Sequence, residues 1–371
     1  MNFSIQKNKL QKALNEHSKV VPIRTTLPIL SCAEFLVTKN ILTITTTDLD
    51  QTIISSIEID DEQDGKVAIP MVKLVDIITA LQDEKIKITS TEDNVVEINS
   101  HQGVYRITGK NAEDFPETTK PNKNEAIVLS GKEYLDIVEK TSFAASKDDL
   151  KPALTGVYID VNLSELTAVS TDGHKLVKYQ KTITSLNKSK QSIIIPTKFL
   201  NITKHIFESK DDVVINIDSD QILIEQGEMS IISRIIKEKF PDFNSVIPSD
   251  NKTKATISAK DFISCVKRVS IFSNRTTKQI VLSFSEGGVV VSAEDLETST
   301  SGKEHLQCEF EGSDISISYN AKYLQETIQH IEGEKVEIYL NTPLSAAVLV
   351  PTKQKEKEQH TTLLMPLRLN S

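Results

Sequence analysis

Apolar residues recur along this chain at two spacings, one typical of helices and one typical of strands. Leu10, Ala13 and Leu14 stand at positions i, i+3 and i+4, and this spacing predicts the buried face of a helix. Alternating apolar and polar runs over residues 41–45 and 166–170 predict strands with one buried side. The chain is therefore expected to combine helices with sheets.

The same order of predicted elements occurs three times. A short strand leads into a helix whose first apolar anchor recurs as Leu10, Tyr134 and Phe262. After further strands, a second helix begins behind Pro70, Pro196 or Asn320. Proline suits a helix start because its missing N–H costs nothing there, and asparagine is a good N-cap. Later strands are predicted over residues 85–89, 213–217 and 336–340.

Two landmarks suggest that one unit is repeated with a period of about 125 residues. The aspartates of three turns are Asp48, Asp172 and Asp295, and three prolines at matching intervals are Pro116, Pro241 and Pro366. The fold class is thus predicted to be α+β, with each unit placing two helices on antiparallel sheets. The predicted domains are residues 1–120, 127–248 and 254–371, with a solvated hairpin loop over residues 353–359.

Composition narrows the classes of protein. The chain has 371 residues, 38% of them hydrophobic and 26% charged, which suits two or three globular domains. Its net charge of −9 argues against a protein that coats nucleic acid by bulk attraction. The three cysteines, Cys32, Cys265 and Cys308, form no C-x-x-C pair and predict free thiols in a reducing cytoplasm. The sequence offers no signal peptide or long apolar span.

The predicted helices are the basic part of this acidic chain. Residues 7–19, 71–81, 131–144, 197–209, 259–273 and 320–331 together carry a net charge of +5, so the remainder carries −14. A solvated surface explains any single basic helix face, but the sum over all six favours a surface that faces phosphates. Three linked units with free sheet ends would form an arc, and two arcs joined head to tail could close into a ring lined by twelve helices.

The sequence contains no P-loop, H-E-x-x-H, G-x-S-x-G or G-x-G-x-x-G motif and no zinc-finger cysteine spacing, which favours a binding or scaffold role over catalysis. The best candidate for catalysis is the S-T-D-G-H-K stretch at 170–175, where Asp172 and His174 could serve a hydrolase. The simpler interpretation is an Asp-Gly turn in which Asp172 bonds its own backbone, because the equivalent turns have no histidine. We expect no cofactor and no metal. A repeat scaffold unrelated to nucleic acid is a further alternative.

Four motifs carry a family resemblance: R-T-T-L-P-I-L at 24–30, S-T-D-G-H-K-L at 170–176, K-F-P-D at 239–242 and L-M-P-L-R-L at 364–369. Together they resemble the bacterial DNA polymerase III β subunit, the sliding clamp, over residues 1–369. The resemblance implies a DNA clamp fold and a head-to-tail homodimeric ring around duplex DNA, bound without sequence preference and without catalysis. It also implies a nucleoid-associated cytoplasmic protein that a clamp loader places on DNA.

The resemblance further implies a pocket for short clamp-binding motifs of the polymerase III α subunit, the clamp loader, other polymerases and repair proteins. At matching positions the pocket residues are Leu154, Thr171, Gly173, His174, Leu176, Pro241, Val246, Asn320, Tyr323, Leu344, Leu363, Met365, Pro366, Leu367 and Arg368. Lys151, Lys175 and Ser245 replace arginines of the family pattern, and Thr277 replaces an aromatic residue. These changes leave the preferred peptide and the ranking of partners open, because a lost guanidinium removes bidentate hydrogen bonding. The effect of Asn370 and Ser371 on the pocket is also left open.

By the same matching, DNA contacts are expected from Arg24, Lys147, Lys151, Lys12, Lys19, Lys198, Lys204, Lys260 and Lys267. The dimer contact is expected to use Tyr105 and Ile107 of the first unit and Ile271 and Phe272 of the third. Burial in the core of a single chain is the alternative for each of these four residues.

Overall fold

The structure is a computed structural model, which describes residues 1–121, 126–183 and 191–368. Asn370, Ser371 and residues 122–125, which lie between the first two predicted domains, are outside the described residues. Six α-helices occur in the described part of the chain: α1 (Lys7–His17), α2 (Met71–Ala80), α3 (Gly131–Thr141), α4 (Thr197–Ile206), α5 (Ala259–Val269) and α6 (Ala321–Gln329). All six coincide with predicted helices, although each ends earlier than predicted.

The strands fall into three successive sets. The first set is β1 (Asn2–Gln6), β2 (Cys32–Thr38), β3 (Ile41–Thr47), β4 (Gln51–Glu58), β5 (Asp60–Gln63), β6 (Gly65–Pro70), β7 (Lys85–Ser90), β8 (Val95–Asn99) and β9 (Val104–Thr108). The second set is β10 (Ile127–Ser130), β11 (Gly156–Asn162), β12 (Glu165–Thr171), β13 (Lys175–Thr182), β14 (Gln191–Pro196), β15 (Asp212–Ile217), β16 (Gln221–Gln226) and β17 (Met229–Arg234). The third set is β18 (Thr253–Ser258), β19 (Gln279–Ser285), β20 (Gly288–Asp295), β21 (Thr300–Leu306), β22 (Glu309–Glu311), β23 (Ile315–Asn320), β24 (Lys335–Leu340), β25 (Ala347–Pro351) and β26 (Glu358–Leu364).

The chain forms two compact units. The first unit contains Met1–Tyr134 and Asn201–Ile235, and the second contains Leu135–Leu200 and Ile236–Ser371. The division falls inside α3 and α4, so these units are not the three predicted domains, whose boundaries stay a prediction. The pairings named below are all antiparallel, as the sequence predicted.

The first unit holds two sheets and the helices α1 and α2. One sheet has the strand order β5-β1-β7-β8-β9, and the other has the order β10-β15-β16-β17-β4-β3-β2-β6. The predicted anchors Leu10 and Leu14 of α1 are buried together with Leu74 and Ile78 of α2. Apolar residues spaced by three and four positions therefore form the interface between helices and sheets.

The second unit also holds two sheets, with α5 and α6 packed against them. The strand orders are β14-β11-β12-β13-β26-β25-β24-β18-β22 and β21-β20-β19-β23. Phe262 and Val266 of α5 are buried with Leu324 of α6. The side chain of Asn320 accepts hydrogen bonds from the N–H groups of Lys322 and Tyr323, which confirms the predicted N-cap of α6. Residues 352–357 join the paired strands β25 and β26, which confirms the predicted hairpin loop except at positions 358 and 359, where β26 has begun.

In each unit, a strand of one predicted domain pairs with a strand of the next predicted domain, and we call this pairing a joint. In the first unit β4 pairs with β17, and Ile53 lies opposite Ile231. In the second unit β13 pairs with β26, and Val177 lies opposite Thr362. Each pairing extends one sheet from one predicted domain into the next. The edge strands β9 and β21 pair on one side only within the described part of the chain.

The turns at Asp48 and Asp172 share one hydrogen-bond pattern. Asp48 Oδ1 accepts from the N–H groups of Asp50 and Gln51 at 3.1 and 2.7 Å. Asp172 Oδ1 accepts from the N–H groups of His174 and Lys175 at 2.8 and 2.9 Å. In the third set of strands, Asp295 Oδ1 accepts from the N–H of Glu297. The predicted aspartate landmark is therefore structural in all three turns.

The proline landmark holds for two repeats and is wrong for the third. Isolated bridges join Ala68 to Lys110, Ile194 to Ile236 and Ser318 to Leu367 at equivalent places in the three repeats. Pro116 and Pro241 follow their bridges along the chain, whereas Pro366 immediately precedes Leu367. The equal spacing of the third proline is thus a coincidence of loop lengths.

Candidate functional site

A cleft of about 580 Å³ lies in the second unit, at the joint between β13 and β26. Leu176 and Leu363 lie directly opposite each other on these strands and form its floor, because both side chains are buried. Val246, Leu344 and Met365 line the cleft with exposed fractions of 52%, 70% and 44%. A buried apolar floor beneath exposed apolar walls is the form expected of a groove for an apolar ligand or peptide.

The turn between β12 and β13 forms one rim of the cleft. Thr171 Oγ1 donates to the carbonyl oxygen of Lys175 at 2.7 Å and accepts from the N–H of Gly173 at 3.0 Å. Gly173 has a φ of +89°, a left-handed conformation that glycine adopts without steric cost. The N–H of Met365 donates to the carbonyl oxygen of His174 at 2.8 Å, which holds the segment after β26 against this turn.

Lys175 supplies a buried positive charge to the cleft lining. Its ammonium lies 2.6 Å from Asp172 Oδ2 and 3.4 Å from Glu326 Oε2, and it lies 4.6 Å from the centre of the Tyr323 ring. Only 5% of the Lys175 side chain is exposed, so these partners meet the requirement that a buried charge be paired. Asp242 adds an exposed carboxylate to the lining. The cleft therefore has no unpaired cation among its described lining residues.

Nine of the fifteen predicted pocket residues line this cleft: Leu154, Thr171, Gly173, Leu176, Pro241, Val246, Leu344, Leu363 and Met365. The other six lie outside its lining: His174, Asn320, Tyr323, Pro366, Leu367 and Arg368. Their roles in ligand binding stay predictions.

Several of these six residues form a neighbouring cluster. The His174 ring stacks on Tyr323 with a centroid separation of 5.4 Å, and Tyr323 also covers the Lys175 ammonium. The Asn320 side chain caps α6 and donates to the carbonyl oxygen of Thr277 at 2.9 Å. Leu367 is held by Ser318, whose carbonyl oxygen accepts from the Leu367 N–H at 2.8 Å. The cluster adjoins the rim of the cleft at His174 and Lys175, but its members His174, Asn320, Tyr323 and Leu367 do not line the cleft.

The sequence interpretation missed some lining residues and underused others. Lys175 and Ser245 were noted only as departures from the family pattern, while six further lining residues were not proposed: Asp242, Phe243, Ile247, Pro248, Ser345 and Ala346. All six lie within two positions of predicted residues in the chain. Phe243, Ile247 and Pro248 are apolar and flank predicted pocket residues, so they carried a usable signal in the sequence.

The contacts of Asp172 favour the turn interpretation over a hydrolase. One carboxylate oxygen accepts from two backbone N–H groups, and the other pairs with the Lys175 ammonium. The His174 ring is stacked on Tyr323. Both side chains are thus accounted for by local structure, as an Asx turn requires.

Most residues predicted to contact DNA are exposed. Lys204 alone is half-buried among the nine, and the exposed ones are Arg24, Lys147, Lys151, Lys12, Lys19, Lys198, Lys260 and Lys267. Lys12 lies 3.4 Å from Glu208, so part of its charge is already paired. In the loop that holds Lys147 and Lys151, Asp148 and Asp149 balance the two positive charges. Arg24 follows Ile23, whose side chain is fully exposed.

The four predicted dimer residues differ in their exposure. Ile271 and Phe272 follow α5 and are 76% and 37% exposed. Tyr105 on β9 is half-buried against the core of the first unit. Ile107 is only 5% exposed and belongs to that core. Ile107 is thus buried within the single chain, and its part in a dimer contact stays a prediction.

Three further observations bear on chemistry. Within the described residues, no group of three or more His, Cys, Asp or Glu side chains could hold a metal ion. No described helix has the length and apolar character required to cross a membrane. The thiols of Cys32, Cys265 and Cys308 are free, with Cys308 half-buried and the other two buried.

Family comparisons match nearly the whole chain. Residues 1–119, 128–242 and 244–368 match the N-terminal, central and C-terminal domains of the DNA polymerase III beta subunit, respectively. A beta sliding clamp of Staphylococcus epidermidis is 29% identical over 380 residues, covering 99% of both chains. A beta sliding clamp of Staphylococcus aureus is 26% identical over 378 residues with the same coverage.

Solved structures have the same fold. The DNA polymerase sliding clamp of Pseudomonas aeruginosa superposes with a TM-score of 0.94 at 26% identity, covering all of both chains. A second structure from that organism, bound to griselimycin, gives the same values. The sliding clamp of Bacillus subtilis reaches a TM-score of 0.95 at 24% identity and full coverage, which supports the fold alone.

Proposed function

Because the chain belongs to the DNA polymerase III beta subunit family, the beta sliding clamps, we propose that two copies close head to tail into a ring around duplex DNA. The chain has the DNA clamp fold and the role of a processivity factor, in which the catalytic activity belongs to the polymerase. The domains proposed for each copy are residues 1–120, 127–248 and 254–371, and the three family matches support this division.

The observation that most supports a ring is the repeated joint between strands. The joint occurs twice within the chain, as β4 with β17 and as β13 with β26. A third joint of this kind needs the free edge of β21 and the free edge of β9, which lie in different units. A head-to-tail contact that uses two different surfaces can close into a ring when the rotation allows it. We infer that β21 of one copy pairs with β9 of a second copy.

The internal repeats also support a particular register for this proposed pairing. Cys32, Gly156 and Gln279 are equivalent because each pairs with the residue before α2, α4 or α6. From the residue after each of these three, the pairings lead across the second strand of the repeat to one residue of the third strand. That residue is Ile53 on β4, Val177 on β13 and Gly302 on β21, so these three are equivalent. Lys110, Ile236 and Leu367 are equivalent because each forms the isolated bridge of its repeat. The residues five positions before them are Tyr105 on β9, Ile231 on β17 and Thr362 on β26, which are therefore equivalent as well. Gly302 is therefore expected to lie opposite Tyr105 of the second copy.

Phe272 completes the proposed subunit contact. Its ring lies so close to Gly302 that a Cβ at this position would collide with it. The ring thus covers the place where a side chain of β21 would stand, beside the exposed Ile271. Together they offer an apolar surface to Tyr105 of the second copy, and aromatic residues are enriched at such contacts.

DNA is proposed to pass the basic helix faces without being gripped. Lys12, Lys19, Lys198, Lys204, Lys260 and Lys267 would give weak, salt-sensitive attraction to phosphates, with Arg24, Lys147 and Lys151 as loop contacts. A closed ring needs no tight contact, because it stays on DNA by topology. Acidic residues elsewhere give the net charge of −9 and keep non-specific binding weak.

The cleft is proposed to bind short clamp-binding segments of partner proteins. Its apolar floor and the rim at Gly173 and Met365 suit an extended peptide with apolar side chains. The partners are the polymerase III α subunit, the clamp loader, other polymerases and repair proteins. Tethering raises their effective concentration at the DNA, so modest peptide affinity suffices. The ring itself would need no cofactor, and it would act in the cytoplasm at the nucleoid.

Topology provides the test of the proposed function. The chain is loaded on a nicked circular plasmid with a clamp loader, and half of each sample is then linearised. We expect the protein to stay on the circle and to leave the linear DNA through its ends. Equal retention on both DNA forms would contradict encirclement.

A further inference from the structure

A second cavity in the second unit is polar and positively charged. It has a volume of about 490 Å³ and lies between the segment after α5 and the start of α6. Arg275, Lys278 and Lys322 line it together with Asn274, Gln325 and Ile271, and Ile271 also belongs to the proposed subunit contact. The described lining contains no carboxylate. All three cationic residues are exposed, so their charges can meet a ligand from solvent. This combination sets the cavity apart from the apolar cleft.

Hydrogen bonds join the two backbone segments that carry these three cationic residues. The N–H of Lys278 donates to the carbonyl oxygen of Asn274, and the carbonyl oxygen of Lys278 accepts from the N–H of Ala321, both at 2.8 Å. Asn274 Oδ1 accepts from the N–H groups of Thr276 and Thr277 and so closes the turn around Arg275. The loop is thus tied to the first residue of α6, directly before Lys322.

Little negative charge within the described residues competes for these cations. The one ion pair described for the three is that of Lys322 with Glu326, at 3.8 Å. Glu326 also lies 3.4 Å from Lys175, so it is shared between two ammonium groups. Three positive charges around one polar cavity therefore favour a ligand with several anionic oxygens, such as a phosphate group.

We propose that this cavity holds a backbone phosphate of a DNA strand, an inference that rests on the clamp function proposed above. Continuity of charge favours DNA over other phosphates. Lys260 and Lys267 stand seven residues apart on α5, so they share one helix face, and the chain after Lys267 leads directly into the cavity wall at Ser270. A strand that follows this face would reach the cavity at the end of the helix. The cavity would then add one localised phosphate contact to the diffuse attraction of the helix faces.

The test compares two triple variants with the same change in charge. Arg275→Gln, Lys278→Gln and Lys322→Gln remove the cavity cations, whereas Lys252→Gln, Lys353→Gln and Lys357→Gln remove three exposed cations elsewhere in the same unit. Binding of the full chain to a labelled linear duplex is measured by fluorescence anisotropy over a series of salt concentrations. We expect the cavity variant to bind about fivefold more weakly and its salt slope to fall by about 1 per lost phosphate contact. The control should change less than about twofold.

Equal losses in the two variants would show a bulk charge effect and overturn the proposal, as would an unchanged cavity variant. Inorganic triphosphate serves as a second probe at matched ionic strength. If it binds the wild-type chain but not the cavity variant, while duplex affinity is unaffected, the cavity takes a free anion and the DNA assignment is wrong. Retention on the circular plasmid separates encirclement of DNA from phosphate binding in the cavity. If the cavity variant stays on the circle and binds the duplex as tightly as the wild-type chain, only the proposal for the cavity is overturned. Matching thermal unfolding midpoints control for folding.

Discussion

The backbone N–H of Met365 donates a 2.8 Å hydrogen bond to the carbonyl oxygen of His174. The equivalent bond in the first unit joins the N–H of Arg234 to the carbonyl oxygen of Asp50, at 3.1 Å. The two joints share this bond but differ in their side chains. Leu176 and Leu363 face each other in the second unit, where Thr52 and Ile232 face each other in the first. The apolar pair gives the second joint the floor of a cleft.

The first prediction concerns the end of the chain. Deleting residues 365–371 removes the rim at Met365 and should abolish binding of a clamp-binding peptide while leaving the dimer intact, because β9 and β21 are unchanged. Met365→Ala is the milder variant and should weaken binding about fivefold through lost apolar contact. Calorimetric titration measures the affinity, and sedimentation measures the dimer. Unchanged peptide affinity in the deletion would refute the assignment of the cleft.

The second prediction concerns the charge of the bound peptide. The Lys175 ammonium already has two carboxylate partners, and Asp242, whose Oδ1 accepts from the N–H of Asn244, adds an exposed negative charge to the lining. A clamp-binding peptide with asparagine should therefore bind about threefold more tightly than its aspartate version, a modest effect because Asp242 is exposed. Asp242→Asn should remove most of this difference. A preference for the aspartate peptide in the wild-type chain would contradict the prediction.

The sequence was most informative where the structure depends on neighbouring residues. The turn at Asp172, the cap at Asn320 and the buried face of α1 each use contacts within a few positions, so residue type and spacing predicted them. Lys175 illustrates the opposite case. Its partner Glu326 is distant in sequence, and nothing local indicates that the two would meet.

Loop lengths also limited the prediction. Pro366 was matched to Pro241 by spacing, yet it precedes its isolated bridge whereas Pro241 follows one. Equal spacing along the chain therefore does not make two prolines structurally equivalent. Structural equivalence is shown by matching hydrogen-bonded partners. Ser345 and Ala346 were missed for a similar reason, since a loop contributes whichever residues its path brings to the cleft.

The third prediction tests the proposed subunit contact. Ile271→Asp places a charge on an apolar surface that the dimer would bury, and burying an unpaired charge is costly. We expect mostly monomers at micromolar concentration by sedimentation. Leu163→Asp is the matched control, because Leu163 is also exposed, at 62%, and its φ of +53° tolerates aspartate. The control should remain dimeric. Two dimeric variants would exclude Ile271 from the contact.

The fourth prediction concerns acid stability through His17. The ring is fully buried, with Nδ1 2.8 Å from Thr46 Oγ1 and Nε2 2.8 Å from Ser55 Oγ, and burial lowers the pKa of His17 to about 3. The unfolded chain, in which histidine has a pKa of about 6.5, binds more protons than the folded chain between these two values. The free energy of unfolding should therefore fall as the pH drops through this window.

The slope contributed by His17 has an upper limit of about 1.4 kcal/mol per pH unit. His17→Gln keeps a side chain that can bond Thr46 and Ser55 but cannot titrate. We expect the variant to be less stable at pH 7 and to lose stability less steeply toward pH 4. Urea unfolding at pH 4, 5, 6 and 7, at a fixed protein concentration, measures both slopes. Since carboxylates titrate in both proteins, only the difference between the slopes reports on His17, and parallel slopes would show that the ring is not held neutral by burial.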